Sequence, residues 1–513
     1  MKLILLGLLA GPLIGFLAAL CVPRSRPQNS RGLALAMSLL TFLNSLQLVA
    51  MFDRTQGGEQ LSIDVPWISS PDIHFAISVN GVSLWLVVLS AFLTPICVLV
   101  SWRSIQERVK EFYAFLLLLE FGLIGVFLAQ DLFLFFVFWE VSLVPMYFLV
   151  GIWGHERRIY AAVKFFIYTM TGSMLMLVAI ITLYNQAGTF NYQQILDKIS
   201  RGVLAFSPAE QTLLFLAFFV AFAIKVPLFP VHTWLPDAHV EAPTAGSIML
   251  ASVMLKMGTY GILHFCLPLF PRAAHECAPW IATLAIIGIL YGALVAMVQP
   301  NMKKLVAYSS VSHLGFVVLG IVSFSQNGLD GAVYQMLNHG ISTGALFAFV
   351  GLLYERRHSL AIADFGGVAT VAPWLSTMFL VTTLASIGLP TLNNFVGEFL
   401  VLQGTAREHY QWTIYASIGV ILSACYMLWM YQRVFYGEAG HEVREHIPDL
   451  NAREWALVIP LIVMMVWMGV YSQSFLPPVE KVTARVLEQS GINVPERVQV
   501  PHRAGSLEAS NAR

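Results

Sequence analysis

The segment Ala223 to Thr244, AIKVPLFPVHTWLPDAHVEAPT, decides how the rest of the chain is read. It opens inside an apolar run that starts near Gln211, and it carries Lys225, Pro227, Pro230, His232 and Pro236. A proline in a helix interior removes a backbone hydrogen bond and clashes with the preceding turn. At bilayer depth a broken helix is tolerated only where protein buries it or water lines it. A lysine beside such a break is costly in hydrocarbon and marks a functional site. The competing reading is a kinked, packed helix whose lysine snorkels to the surface. Lys225 lies too deep in the run for that.

Composition agrees with a membrane setting. Of 513 residues, 57% are hydrophobic and only 11% charged, against roughly 25% charged in soluble domains. Net charge is zero, which suggests no nucleic-acid partner. The five cysteines (Cys21, Cys97, Cys266, Cys277, Cys425) are scattered with no C-x-x-C spacing. That argues against iron–sulfur, zinc or haem-attachment sites and against a disulfide framework. P-loop and G-x-G-x-x-G patterns are absent as well, so no cofactor is expected on this chain.

A span needs about 20 apolar residues. The sequence supplies fourteen such runs, near 2–22, 32–52, 79–101, 111–129, 131–153, 160–184, 209–236, 243–268, 279–298, 304–325, 330–353, 371–406, 412–435 and 455–475. The first lacks a convincing cleavage site and is not expected to be a signal peptide. Beyond the last, Pro477 to Arg513 reads as a polar tail without periodic apolar pattern. Loops after odd-numbered spans hold fifteen Lys and Arg, and loops after even-numbered spans hold five. By the positive-inside rule the odd loops are cytoplasmic and both termini face the opposite side.

Few charges remain inside spans. They are Lys164, Lys225 and Lys256, with Glu120, Glu140 and Glu398, joined by His232, His264, His313 and His339. Lys164, near the cytoplasmic end of its span, is placed to snorkel. A lone buried histidine is more often a satisfied core residue than a proton carrier, but four of them beside lysines and glutamates point to a relay.

A second break falls in ASIGLPTLNNFVGEFL (385–400), where Gly388, Pro390 and Asn393–Asn394 precede Glu398. The breaks in spans seven and twelve are five spans apart, which implies two five-helix units. An odd number of spans makes the second unit inverted, and inverted repeats with interrupted helices are the signature of ion transporters. The expected architecture is all-α and polytopic, with boundaries at 1–105, 106–270, 271–440 and 441–513. Its chemistry is proton transfer: desolvation weakens a lysine's hold on its proton and a nearby carboxylate restores it. The expected order along the midplane is Glu140, Lys225, Lys256, His313 or His339, then Glu398. His232, His264, Glu120 and Lys164 are secondary, and His264 is a candidate for an exit branch.

The segments FVFWEVSLVPMYFLVGIWG (136–154), KVPLFPVHTWLPDAHVEAPTAGSIMLASVMLKMGTYG (225–261) and NMKKLVAYSSVSHLGFVVLG (301–320) resemble the antiporter-like membrane subunits of respiratory complex I. The likeness runs from the first span to the fourteenth. It implies that Glu140 is the span-five glutamate that pairs with the broken-helix lysine, Lys225. It also implies that Lys256 is the central-axis lysine and that His313 and His339 are relay histidines. Glu398 resembles the terminal glutamate of M-type members, where relatives often carry lysine. The resemblance further implies FMN, iron–sulfur clusters and quinone on partner subunits, neighbouring antiporter-like subunits and lipids as contacts, an indirect link to the NADH-oxidising arm, and residence in a bacterial inner membrane. A subunit of a multi-subunit Na⁺/H⁺ antiporter and a membrane subunit of an energy-converting hydrogenase are the alternatives. Glu398 in place of lysine counts against the antiporter.

Overall fold

The computed structural model describes residues 2–491. Among them, thirteen helices are long and apolar enough to cross a bilayer. The run 371–406 is not one of these, because it is divided into the helices Pro373–Ser386 and Asn393–Glu408. At the centre lie Thr244–Leu269 and Gln326–Arg357, whose apolar stretches are wholly buried. Lys2–Cys21, Pro27–Met51, Tyr410–Phe435 and Ala452–Val470 stand at the periphery, with Leu40, Leu43, Ile421 and Val463 exposed toward the expected lipid.

The first broken helix begins cleanly. Ser207 and Glu210 form a capping box, and Pro208 takes the first turn, where its missing donor costs nothing. The helix Pro208–Lys225 stops as Pro227 approaches, and an irregular stretch leads to the short helix Trp234–Glu241. Its terminal carbonyls are satisfied from within: Leu228 N donates to Ala223 O (2.8 Å) and Trp234 Nε1 to Ile224 O (2.9 Å). That is the internal pairing a break in hydrocarbon requires. The second break is closed similarly. Gly388 adopts φ +76°, Leu389 N donates to Leu384 O, and Asn394 Nδ2 reaches back to Ser386 O (3.3 Å). Asn393 Nδ2 ties the second half to Asn338 O on the central helix (3.0 Å).

Four features depart from the sequence reading. The central helix Thr244–Leu269 contains two π-helical turns, Leu250–Met254 and Ile262–Cys266, on either side of Lys256. Residues Gln60–Ile68 and Ile73–Val79 form an antiparallel hairpin between the second and third helices. A short amphipathic helix, Tyr192–Ser200, packs Tyr192, Ile195 and Leu196 inward. Finally, the expected patternless tail is helical over Leu476–Gln489, where Leu476, Val479, Val482, Val486 and Leu487 are buried. Their spacing near one helical turn gives the segment an apolar face. The rest of that tail, 492–513, lies outside the described residues.

Contacts gather the loops into two sets. At one end Arg24 pairs with Glu111 (2.5 Å), His155 N donates to Glu241 O, and Arg356 pairs with Glu454 (2.6 Å). At the other lie the hairpin, Tyr192–Ser200 and the last helix, where His275 Nε2 meets Ser490 O (3.1 Å).

Candidate functional site

Lys256 sits between the two π turns of the central helix. Such turns leave carbonyls out of the regular ladder and are frequent at functional sites. Here the Ala251 carbonyl accepts from Lys256 Nζ at 2.7 Å. The same nitrogen lies 2.7 Å from His339 Nδ1, on the neighbouring wholly buried helix. The imidazole of His313 follows, its ring centroid 5.9 Å from that of His339. His313 Nδ1 meets Glu398 Oε1 at 2.8 Å. Gln335 Nε2 donates to the same oxygen (3.0 Å), and Tyr426 Oη lies 3.4 Å from His313 Nε2. The second break thus delivers Glu398 to a partner set on three other helices. Four of the expected residues, Lys256, His339, His313 and Glu398, form one buried file.

The first half is assembled differently. Lys225 is fully buried, and its ammonium faces aromatic rings, 5.1 Å from the Trp139 centroid and 5.6 Å from that of Phe165. Cation–π contact offsets part of the cost of burying that charge. Glu140 is only partly buried, with Ser173 and Lys225 facing it. The expected Glu140–Lys225 ion pair is not made: Lys225 Nζ and Glu140 Oε1 have no hydrogen-bond partner among the described residues. The rings of Trp139 and Phe165 occupy the flank of the lysine, so the two charges share a neighbourhood without contact.

The secondary residues scatter. Lys164 does not reach to the surface alone but pairs with Asp237 Oδ2 at 2.7 Å, in the stretch after the first break. His232 is buried against Phe229 and Tyr291, with neither ring nitrogen hydrogen-bonded among the described residues. Glu120 is fully buried near Thr94, and neither of its oxygens is so partnered. His264 stacks on Tyr260 with ring centroids 4.9 Å apart, away from the file.

Among the buried groups that the sequence reading did not single out are His239 and Lys303. His239 is fully buried and stacked on Phe347 at 4.5 Å. Its position two turns beyond His232, inside the decisive segment, was the available signal. Lys303, counted among loop cations, is instead buried, with Nζ donating to Ala242 O and, at 3.4 Å, to Val240 O. Those carbonyls come from about sixty residues earlier, so nothing local announced them.

A polytopic bundle with two broken helices and a buried file of lysine, histidine and glutamate defines a membrane ion-translocating protein. The sequence profile of the family described as NADH:quinone oxidoreductase/Mrp antiporter, TM, matches residues 129–423, and the chain belongs to that family. It is 46% identical to NADH-quinone oxidoreductase subunit M of Rhodobacter capsulatus, over 86% of this chain and 88% of that relative. It is 42% identical to NADH-ubiquinone oxidoreductase chain 4 of Marchantia polymorpha, over 92% and 94%. A chain of respiratory complex I from Thermus thermophilus with bound NADH superposes with a TM-score of 0.86 at 31% identity, covering 95% of this chain and all of that one.

Proposed function

We propose that this chain carries protons across the membrane as a membrane-arm subunit of a proton-pumping NADH:quinone oxidoreductase. The path runs along Glu140, Lys225, Lys256, His339, His313 and Glu398. The observation that supports it most is the pair of contacts Lys256–His339 and His313–Glu398, at 2.7 and 2.8 Å. Direct proton transfer needs hydrogen-bond reach. The second half meets that need at both ends of its file, while the approach from Glu140 through Lys225 to Lys256 requires bridging water.

Lys256 exchanges a proton with His339 Nδ1, His339 with His313, and His313 Nδ1 with the Glu398 carboxylate. Closing the gap between Lys225 and Glu140 stabilises the protonated lysine, and opening it expels the proton. Redox chemistry on partner subunits, with FMN, iron–sulfur clusters and quinone, drives these changes through neighbouring antiporter-like subunits of the membrane arm. In this reading the chain resides in a bacterial inner membrane, and the excess of Lys and Arg in the odd-numbered loops supports both ends facing the periplasm.

The test is NADH-driven acidification of inverted membrane vesicles carrying the assembled complex, native against Lys225→Ala. Loss of pumping from the intact complex supports the relay, and normal pumping in the variant refutes it. Sodium-dependent antiport without NADH would move the antiporter reading to first place.

A further inference from the structure

The loop entering the hairpin and the helix Leu476–Gln489 have no part in the file above, yet they meet over a partly buried carboxylate. Glu59 is held by Ser78 Oγ (2.5 Å to Oε2), Asn80 Nδ2 (2.9 Å to Oε1) and Gln130 Nε2 (3.2 Å to Oε2). The charged and titratable groups facing it are Arg485 from the last helix, Tyr192 from the short amphipathic helix, and Tyr260 from the helix that carries Lys256. Burial pushes the Glu59 carboxyl up, and Asn80, Ser78 and Arg485 draw it back down.

Glu59, His264, Tyr192 and Arg485 line one small cavity of about 20 Å³, room for a single water. Arg485, Gln489 and Gln193 also line a second, open cavity of about 450 Å³ on its outer side. Side chains of the last helix therefore stand between the inner chamber and the surface. On the inner side, Tyr260 lies one turn beyond Lys256 and stacks on His264. The Tyr260 hydroxyl and His264 Nε2, both buried, have no hydrogen-bond partner among the described residues.

The closing helix is built into place. A Cβ on Gly57 would lie 2.6 Å from Lys481 O, and one on Gly81 would lie 2.0 Å from Pro478 O, so only glycine lets the helix seat this closely. Trp85 Nε1 donates to Phe475 O (2.9 Å) at its start, and Gln326 Nε2 to Glu480 O (3.1 Å) along it.

We propose that this is a proton-release site, in which Glu59 receives the proton leaving Lys256 by way of Tyr260 and His264, with water bridging the gaps between them, and passes it to water in the outer cavity beside Arg485. The inference rests on the relay reading above. Lys256 goes from ammonium to amine and the Glu59 carboxylate becomes the acid. Glu59 returns to carboxylate when the outer water takes the proton, and the neighbouring Arg485 cation favours that carboxylate. The last helix acts as the lid of the chamber, on the side that the basic-loop count makes periplasmic.

The experiment compares protons delivered per NADH in inverted vesicles for the native complex, Glu59→Gln, Glu59→Asp, Arg485→Met and Lys256→Ala, with assembly checked on native gels. Glu59→Gln should lower the yield, because the carboxylate that passes the proton on is gone, and Glu59→Asp should restore much of it. Arg485→Met should move the pH profile of pumping toward higher luminal pH, because the carboxylate loses its neighbouring cation. An assembled Glu59→Gln complex with native yield overturns the proposal. Should Glu59→Gln not assemble, the profile of Arg485→Met decides: a shift supports the site and an unshifted profile overturns it. If Lys256→Ala itself pumps normally, the relay reading has failed. If Lys256→Ala stops pumping and Glu59→Gln does not, only the release site has failed.

Discussion

Lys256 Nζ is held between the Ala251 carbonyl and His339 Nδ1, 2.7 Å from each. One partner comes from a π turn of its own helix and the other from the helix beside it, so the lysine is fixed by backbone irregularity as much as by a side chain. Both residues are fully buried. Removing one member of a buried, paired set leaves the other uncompensated.

His339→Ala removes one of the two partners of Lys256 Nζ and is expected to destabilise the folded subunit by about 1–3 kcal/mol, the scale of losing a buried hydrogen-bond partner. Lys256→Met, which removes the charge and keeps the length, should cost less. Thermal dissociation of the assembled complex measures both. Equal losses would show that the pair is not what holds this region.

Glu398 is the shared acceptor of His313 and Gln335. Glu398→Ala should slow proton transfer by about 10²-fold or more, the effect of deleting a proton-transfer group, and so lower pumping per NADH. Glu398→Asp should retain part of it. The yield in inverted vesicles reports this directly.

Trp234 closes the first break by donating to the Ile224 carbonyl, the residue before Lys225. Trp234→Phe keeps an aromatic ring but loses the indole N–H, leaving that carbonyl unpaired in a buried position, a cost of about 1–3 kcal/mol. Faster hydrogen exchange confined to residues 222–228 is the expected result. Unchanged exchange would mean that the break is held by other contacts.

The hairpin has its own pH dependence. His74 Nδ1 meets Asp64 at 2.5 Å and Nε2 meets Asp72 at 3.1 Å. The Asp64 hydrogen bond leads the causes that raise the histidine's pKa above its usual value, against a smaller lowering by burial. A raised value means that the pair's stabilisation is full below about pH 6.5, the unfolded value, and is lost as pH rises through the folded one. Amide protection factors across Gln60–Val79 should hold below about pH 6.5 and fall as pH rises above it, and His74→Phe should abolish that change.

The parts of this molecule visible in its sequence are those with local signals. Prolines beside Lys225 and the Gly388–Pro390 pair before Glu398 announce broken helices because their backbone effects do not depend on distant neighbours. Buried charges announce themselves by rarity in apolar runs. The π turns around Lys256 leave no such mark, since LASVM and ILHFC are ordinary helix formers in composition. The last helix is short, opens on Pro477 and Pro478, and spaces Val479, Val482 and Val486 among charged residues, so its apolar face is set by what it packs against. The hairpin strand QLSIDVPWI does alternate, but its odd positions are short of partners until Ile73–Val79 is placed beside it. The gap between Glu140 and Lys225 depends on where Trp139 and Phe165 turn their rings, which spacing alone does not encode.

The most direct test of the relay is the proton yield per NADH of inverted vesicles carrying Lys256→Ala, in complexes shown to be assembled. Lys256 joins the two halves of the path, so the relay predicts that pumping collapses while the complex remains intact. Native yield from the assembled variant would contradict it, because no proton could then be using the contact between Lys256 and His339.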